Sequence, residues 1–405
     1  MKRKALHAVL CAAFLLGASA SFEASSQQKG EGARPEVGKP LQAAQQLIRS
    51  RKGREAMAEI AKAEAVPNRT PYENQLIAQM KAAAASAAGD NDATIRANEA
   101  LLNTGKVSGR EATLLVQAIA VAHYNKKEYG EAAKWTQRYF KEGGTDPQMR
   151  TVLLQSYYLG NDCNSVSKML AGAIEGEKRA SEDELGILAN CYQRNRDNAG
   201  YVRTIEQLVI HYPKKQYWTD LLSRVQKKPG FSDRLGLDVY RLRMATGNLT
   251  ETNDYFEATQ LALQAGVPAE AKIFMDKGYE AKLLGQGKEA DRHARLRALV
   301  DKSLAETQQN RAREEREAMD AKDGNDLVKI GQNYVYEGKA DKGIQLMEQG
   351  IKKGGLKRPD DAKLRLGEAQ IYAGKKSAGV ATLKDVKGTD GTADIARLWI
   401  LNARA

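Results

Sequence analysis

Any chemistry in this chain has to come from three cysteines, four histidines and the carboxylates. Cys11 lies inside an apolar run and follows Leu10, which leaves Cys163 and Cys191 as the thiols of a mature chain. Two such thiols either close a disulfide or pack as small hydrophobes. The histidines are His7, His123, His211 and His293, and they are scattered. His211 precedes Tyr212-Pro213, where the C-terminal end of a helix suits an imidazole. His293 lies in the charged run Asp291-Arg292-His293-Ala294-Arg295 with no second ligand in sight. The sequence contains no H-E-x-x-H, C-x-x-C, G-x-S-x-G or G-x4-G-K-[ST]. Carboxylate pairs such as Glu314-Glu315 fall in charged segments that read as solvated helix surface. These residues predict no catalytic centre, no metal and no cofactor.

The elements that carry them are helical. The composition is alanine-rich, 42% hydrophobic and only 6% aromatic, and no clear alternation of period two runs through it, which predicts an all-α chain. Lys2, Arg3 and Lys4 precede an apolar run from Ala5 to Ala20 that ends Ala18-Ser19-Ala20. A basic start, a short apolar stretch and an A-x-A site together describe a secretory signal cleaved after Ala20. No later segment is long and apolar enough to span a membrane. The expected product is exported, most simply periplasmic. Removing Lys2, Arg3 and Lys4 takes the net charge from +12 to +9. Export makes nucleic acid a poor partner for that charge, and an anionic envelope polymer a better one.

The strongest internal pattern lies between Leu327 and Val386. Leu327-x2-Ile330-Gly331-x2-Tyr334 is followed by Gly338, Gly343, Met347 and Gly350. Lys363-x2-Leu366-Gly367-x2-Gln370 then repeats the pattern with Gly374, Gly379, Leu383 and Val386. Gly338 and Gly374 stand where a first helix must stop and turn, which a residue free to take positive φ does cheaply. Gly331, Gly343, Gly367 and Gly379 lie within helices, at a cost of about 1 kcal/mol each relative to alanine. Their repetition predicts two helices packed too closely for a side chain. A period in the mid-thirties with this first-helix pattern resembles the tetratricopeptide repeat (TPR).

The resemblance is weaker elsewhere. Ala56, Ile60 and Ala63 carry the small-large-small spacing of a second helix, and Ala93, Ala97 and Ala100 are expected to repeat it. Leu115, Ile119 and His123 fit a first helix, with His123 packed at a core position, and Tyr129-Gly130-Glu131-Ala132 opens its partner. Tyr157, Tyr192 and Trp218-x2-Leu221-Leu222 mark further units. The register slips at Pro229-Gly230, and Phe231 to Met244 agrees poorly with the repeat. The expected organisation is a signal peptide (1–20), a disordered leader (21–40) and a degenerate array (41–286). A charged, solvent-exposed helical connector (287–324), two well-matched units (325–390) and a capping helix (391–405) complete it.

The resemblance implies an all-α solenoid of TPR-like helical hairpins that holds a protein or peptide on its concave face, without enzymatic activity. A helical accessory part of an envelope enzyme, or a direct binder of cell-wall glycan, are the alternatives. By the same resemblance, the ligand-facing residues are Gln332 with Tyr336 and Glu368 with Tyr372. It also brings the helix ends that carry Cys163 and Cys191 to one edge of the stack, which predicts a disulfide between them.

Overall fold

The computed structural model describes residues 32–174 and 179–405, and these are helical, with no strand among them. The residues of the expected signal peptide and most of the expected leader lie outside the described residues. The chain divides into two units: unit 1 runs to Gly172 and includes Asn190–Arg196, and unit 2 comprises Ala173–Ala189 and Asp197–Ala405.

Unit 1 begins with α1 (Pro35–Arg49), earlier than the expected onset near Leu41. Residues 35–40 are therefore helix, not leader. Pro35 occupies the first helical turn, where its missing N–H costs nothing, and Val37, Leu41 and Ala44 form a buried stripe. The entry is pinned by Arg34, whose backbone N–H and guanidinium donate to the buried Glu73 carboxylate at 2.9 Å. Then come α2 (Gly53–Glu64), α3 (Pro71–Ala88), α4 (Asn91–Asn103), α5 (Gly109–Asn125), α6 (Tyr129–Lys141), α7 (Pro147–Leu159) and α8 (Cys163–Met169). Neighbouring helices in this run pack on one another. Ala56, Ile60 and Ala63 are buried as expected. In α4 the register is one residue off: Thr94, Ile95, Asn98 and Leu101 are buried, while Ala93, Ala97 and Ala100 are not. With Asp90 accepting from the Ala93 N–H at the helix start, the larger Ile95 and Leu101 take the inner face.

After α9 (Ala171–Ile174) and α10 (Glu182–Arg194), unit 2 continues with α11 (Asn198–His211), α12 (Lys215–Gln226), α13 (Gly236–Ala245), α14 (Thr252–Gln264), α15 (Pro268–Glu280) and α16 (Ala290–Asp320). It ends with α17 (Asn325–Tyr336), α18 (Ala340–Lys353), α19 (Pro359–Tyr372), α20 (Lys376–Lys384) and α21 (Thr392–Arg404). The charged connector is the 31-residue α16, but it is not wholly solvated. His293, Leu296, Val300, Arg311 and Ala318 form one buried stripe against α14, α15 and α17. His293 is inside this stripe, its Nδ1 accepting from the Gly285 N–H at 3.1 Å.

The glycines of α17 to α20 behave as their repetition predicts. A Cβ on Gly331 would stand 2.5 Å from the Gly343 carbonyl oxygen, and one on Gly343 would collide with the Gly331 carbonyl. Gly367 and Gly379 face each other in the same way. Gly338 and Gly374 turn with φ of +83° and +79°. The last helix, α21, does more than end the chain. Ile395, Ala396, Leu398, Trp399 and Leu401 join one core with Leu221, Leu222, Leu235 and Leu242 from α12 to α13. Among the described residues no helix is long and apolar enough to cross a membrane.

Candidate functional site

The segment where the repeat pattern fails, Phe231 to Met244, becomes a 3-10 turn (Asp233–Leu235) followed by α13, which packs on α14 and α21. Its sequence is apolar on more than one side: Leu235, Val239 and Leu242 face one core, and Leu237 another. The same short helix carries Asp238 and Arg241, both buried. A buried guanidinium needs carboxylates around it, because desolvating an unpaired charge is costly. The fold supplies three. Glu270 of α15 takes a fork from Arg241, with Nε at 2.6 Å from Oε1 and Nη2 at 2.7 Å from Oε2. Asp238 accepts from Nη1 within the same helix, and Glu368 of α19 approaches Nη1 at 3.4 Å. A second guanidinium, Arg365 of α19, reaches Asp238 at 3.4 Å.

The residues expected to face a ligand lie at this cluster. Gln332 and Glu368 are 3% and 2% exposed. Tyr336, half-buried, bonds through its hydroxyl to Glu270. Tyr372 is 51% exposed and meets the Tyr336 ring edge-on, with centroids 5.1 Å apart. The structure thus brings all four together. With α15 on α17 and the charged side chains of α13 on α19, however, it covers this face with the chain's own residues. Asn333 on that face donates to the Gly266 carbonyl at 2.9 Å. Of the four, Tyr372 is the one presented to solvent.

The electrostatics follow from enclosure. Burial, aided by Asp238, holds the Glu368 carboxyl well above the usual carboxylate range against the opposing pull of Arg241 and Arg365. Burial and Glu270 raise the Tyr336 hydroxyl well above an ordinary phenol. Burial pulls Arg241 down, but Glu270 and its other partners outweigh it, and the guanidinium is held firmly charged. Asp238 Oδ2, Glu368 Oε1 and the Gln332 amide nitrogen are buried with no hydrogen-bond partner.

In unit 1, α5 and α7 keep large apolar side chains at the surface. Leu114 on α5 and Leu159 on α7 are 40% and 47% exposed. Leu114, Gln117, Val121 and Tyr124 share one stripe of α5 by helical spacing, as do Gln155, Tyr158 and Leu159 on α7. The stripes are tied to one another: Gln117 donates to Asp146 at 3.0 Å, Tyr124 to Gln155 at 2.5 Å, and Tyr158 to Asn190 at 3.2 Å. Arg194 lies over the Tyr158 ring, 4.6 Å from its centroid. Sequence reasoning missed this surface. Its signal was the tyrosine and amide residues one or more turns past each core position, which have no periodic hydrophobicity to mark them.

Cys163 begins α8 and Cys191 lies in α10, both buried and joined as a disulfide with Cα atoms 5.1 Å apart. His123 is buried in α5, its Nδ1 2.7 Å from the Glu128 carboxylate. Among the described residues no group of three or more histidine, cysteine or carboxylate side chains is placed to hold a metal ion. No protein-family model matches the chain, and no curated protein compared with it does.

Proposed function

We propose that the chain is a non-catalytic scaffold of TPR-like helical hairpins, exported to the periplasm, that captures a protein or peptide partner on its first helices. The observation that carries the repeat reading is the recurrence of one hydrogen-bond spacing. Gln79–Glu111, Tyr124–Gln155, Tyr158–Asn190 and Lys214–Glu182 bond across 32, 31, 32 and 32 residues. A chain of stacked hairpins with a mid-thirties period ties each first helix to the next in this way.

Capture is assigned to the unit 1 surface. Leu114 and Leu159 offer apolar contact, and Tyr124 and Tyr158 offer aromatic faces with hydroxyls, the mixture that carries interface energy. Gln117, Gln155 and Asn190 each use one atom of their amide within the protein, and the other suits a peptide backbone. Gln332 and Glu368 serve the interior of unit 2, and Tyr372 is its remaining accessible aromatic. An anionic envelope polymer, matched to the basic charge, is the second reading.

Crosslinking capture from the periplasm with the mature protein as bait tests both. A peptide interface predicts that Leu114→Asp with Leu159→Asp abolishes capture at an unchanged melting temperature. Capture that survives the double substitution but disappears in moderate salt, where exposed charges are screened, replaces this reading with the polymer.

A further inference from the structure

Unit 2 encloses more negative than positive formal charge. Facing Glu368 are Asp238 and Arg241 from α13, Glu270 from α15, Tyr336 from α17 and Arg365 from its own helix. The charged groups on other helices beside α19 are engaged elsewhere. Glu348 of α18 accepts from Gln370, Asp394 of α21 pairs with Lys228, and Arg397 pairs with Glu206. On α20, Lys376 and Lys384 are exposed. The set is therefore three buried carboxylates against one buried guanidinium, Arg241, and a second, Arg365, that is partly exposed. Glu270 and Asp238 receive the short bonds, while Glu368 has one contact at 3.4 Å and one buried oxygen with no partner.

We propose that Glu368 carries a proton in the folded chain, and that this proton locks α13 against α19 and makes the closure of unit 2 sensitive to alkali. Neutral Glu368 leaves two carboxylates matched to two guanidiniums. Ionised, it adds a third negative charge beside Asp238 in a region closed to water, and the helices bearing the two are pushed apart. The direction of the linkage follows. The folded state keeps a proton that the unfolded chain has released, so stability falls as pH rises above the ordinary glutamate range, until the folded carboxyl itself ionises. The inference does not depend on what the scaffold captures.

The test compares the full-length mature protein with Glu368→Gln, which keeps the shape and cannot ionise. Above the ordinary glutamate range, the ratio of wild-type to variant unfolding constants is expected to rise with pH, by at most about tenfold per unit, until the folded carboxyl ionises. Amides of α13 and α19 should lose exchange protection with pH in the wild type more steeply than in the variant. Parallel stability curves over that range overturn the proposal. Should Glu368→Gln fail to fold, infrared spectroscopy of the wild type decides: a protonated-carboxyl carbonyl stretch at pH 7 supports the lock, and its absence overturns it.

Discussion

The interiors of the two units solve the same packing problem with different materials. Unit 1 is built from small apolar stripes, such as Val37, Leu41, Ala44, Ala56, Ile60 and Ala63, and it is clipped by Cys163–Cys191. Its one fully buried carboxylate among the described residues, Glu73, is matched by Arg34 at the edge. Unit 2 buries Asp238, Arg241, Asp254, Glu270, His293, Arg311, Asp361 and Glu368. Its cross-contacts also reach much further along the chain: Arg241–Glu368 and Arg234–Asp361 each span 127 residues, against 31 and 32 for Tyr124–Gln155 and Tyr158–Asn190 in unit 1. The difference is that unit 1 keeps Leu114 and Leu159 at its surface, whereas in unit 2 the paired charges of α13 and α15 enclose Glu368 of α19.

Breaking the charge pairing should have the largest effect. Arg241→Ala leaves Glu270 and Asp238 buried without their main partner, and loss of one member of such a set costs roughly 3–5 kcal/mol. Thermal unfolding of the variant should show unit 2 melting far below the wild type, with α13 exchange protection lost first. A variant within a degree of wild type contradicts the assignment of this cluster as the centre of unit 2.

The disulfide sharpens the other side of the comparison. It closes a 28-residue separation, worth about 3.6 kcal/mol in the chain-entropy account. Purified, denatured mature chain should titrate no free thiol before reduction, and Cys163→Ser with Cys191→Ser should lower the melting of unit 1 alone. Two free thiols per chain remove the clip.

Helix contact distance gives a smaller and more local effect. Gly331→Ala places a methyl against the Gly343 carbonyl, and overpacking of that kind costs about 1–3 kcal/mol. Gly186, within α10, has nothing within 4 Å of an added Cβ, so Gly186→Ala should stabilise by up to about 1 kcal/mol. Denaturant midpoints that move in the same direction for both substitutions contradict the close packing.

An acid-sensitive contact of unit 1 belongs to Glu73. Its hydrogen bonds from the Arg34 side chain, then from backbone N–H groups of Arg34 and Thr70, lower its pKa to about 2. A carboxylate held below its unfolded value stabilises the fold above about pH 4.3, and that contribution is lost as pH falls toward 2. The α1–α3 contact should loosen over that range, and Glu73→Gln should flatten the dependence.

Much of the fold was legible because the signals were local. Gly331, Gly343, Gly367 and Gly379 reported a helix–helix distance, and Trp218, Leu221 and Leu222 reported a buried face. Where the apolar pattern was thin, the register was lost: alanines in α4 are small enough to sit on either side of the seam, so Ile95 and Leu101 decided it. Pro40, read as part of a leader, forgoes only one helical hydrogen bond. The cluster in unit 2 was partly visible, since Gln332, Tyr336, Glu368 and Tyr372 do share a face. What covers that face comes from Asp238, Arg241 and Glu270, far away in sequence. Charged residues there read as helix surface, because nothing local shows that another helix will enclose them.

The measurement that bears most directly on the account is site-specific photocrosslinking in cells that express the protein. A photoreactive residue is placed singly at Leu114, Leu159 or Gln332 of the full-length protein. The account predicts adducts to one partner from positions 114 and 159 and none from position 332, which is buried. An adduct from 332, with 114 and 159 silent, contradicts it and returns the partner to the face of α17 and α19.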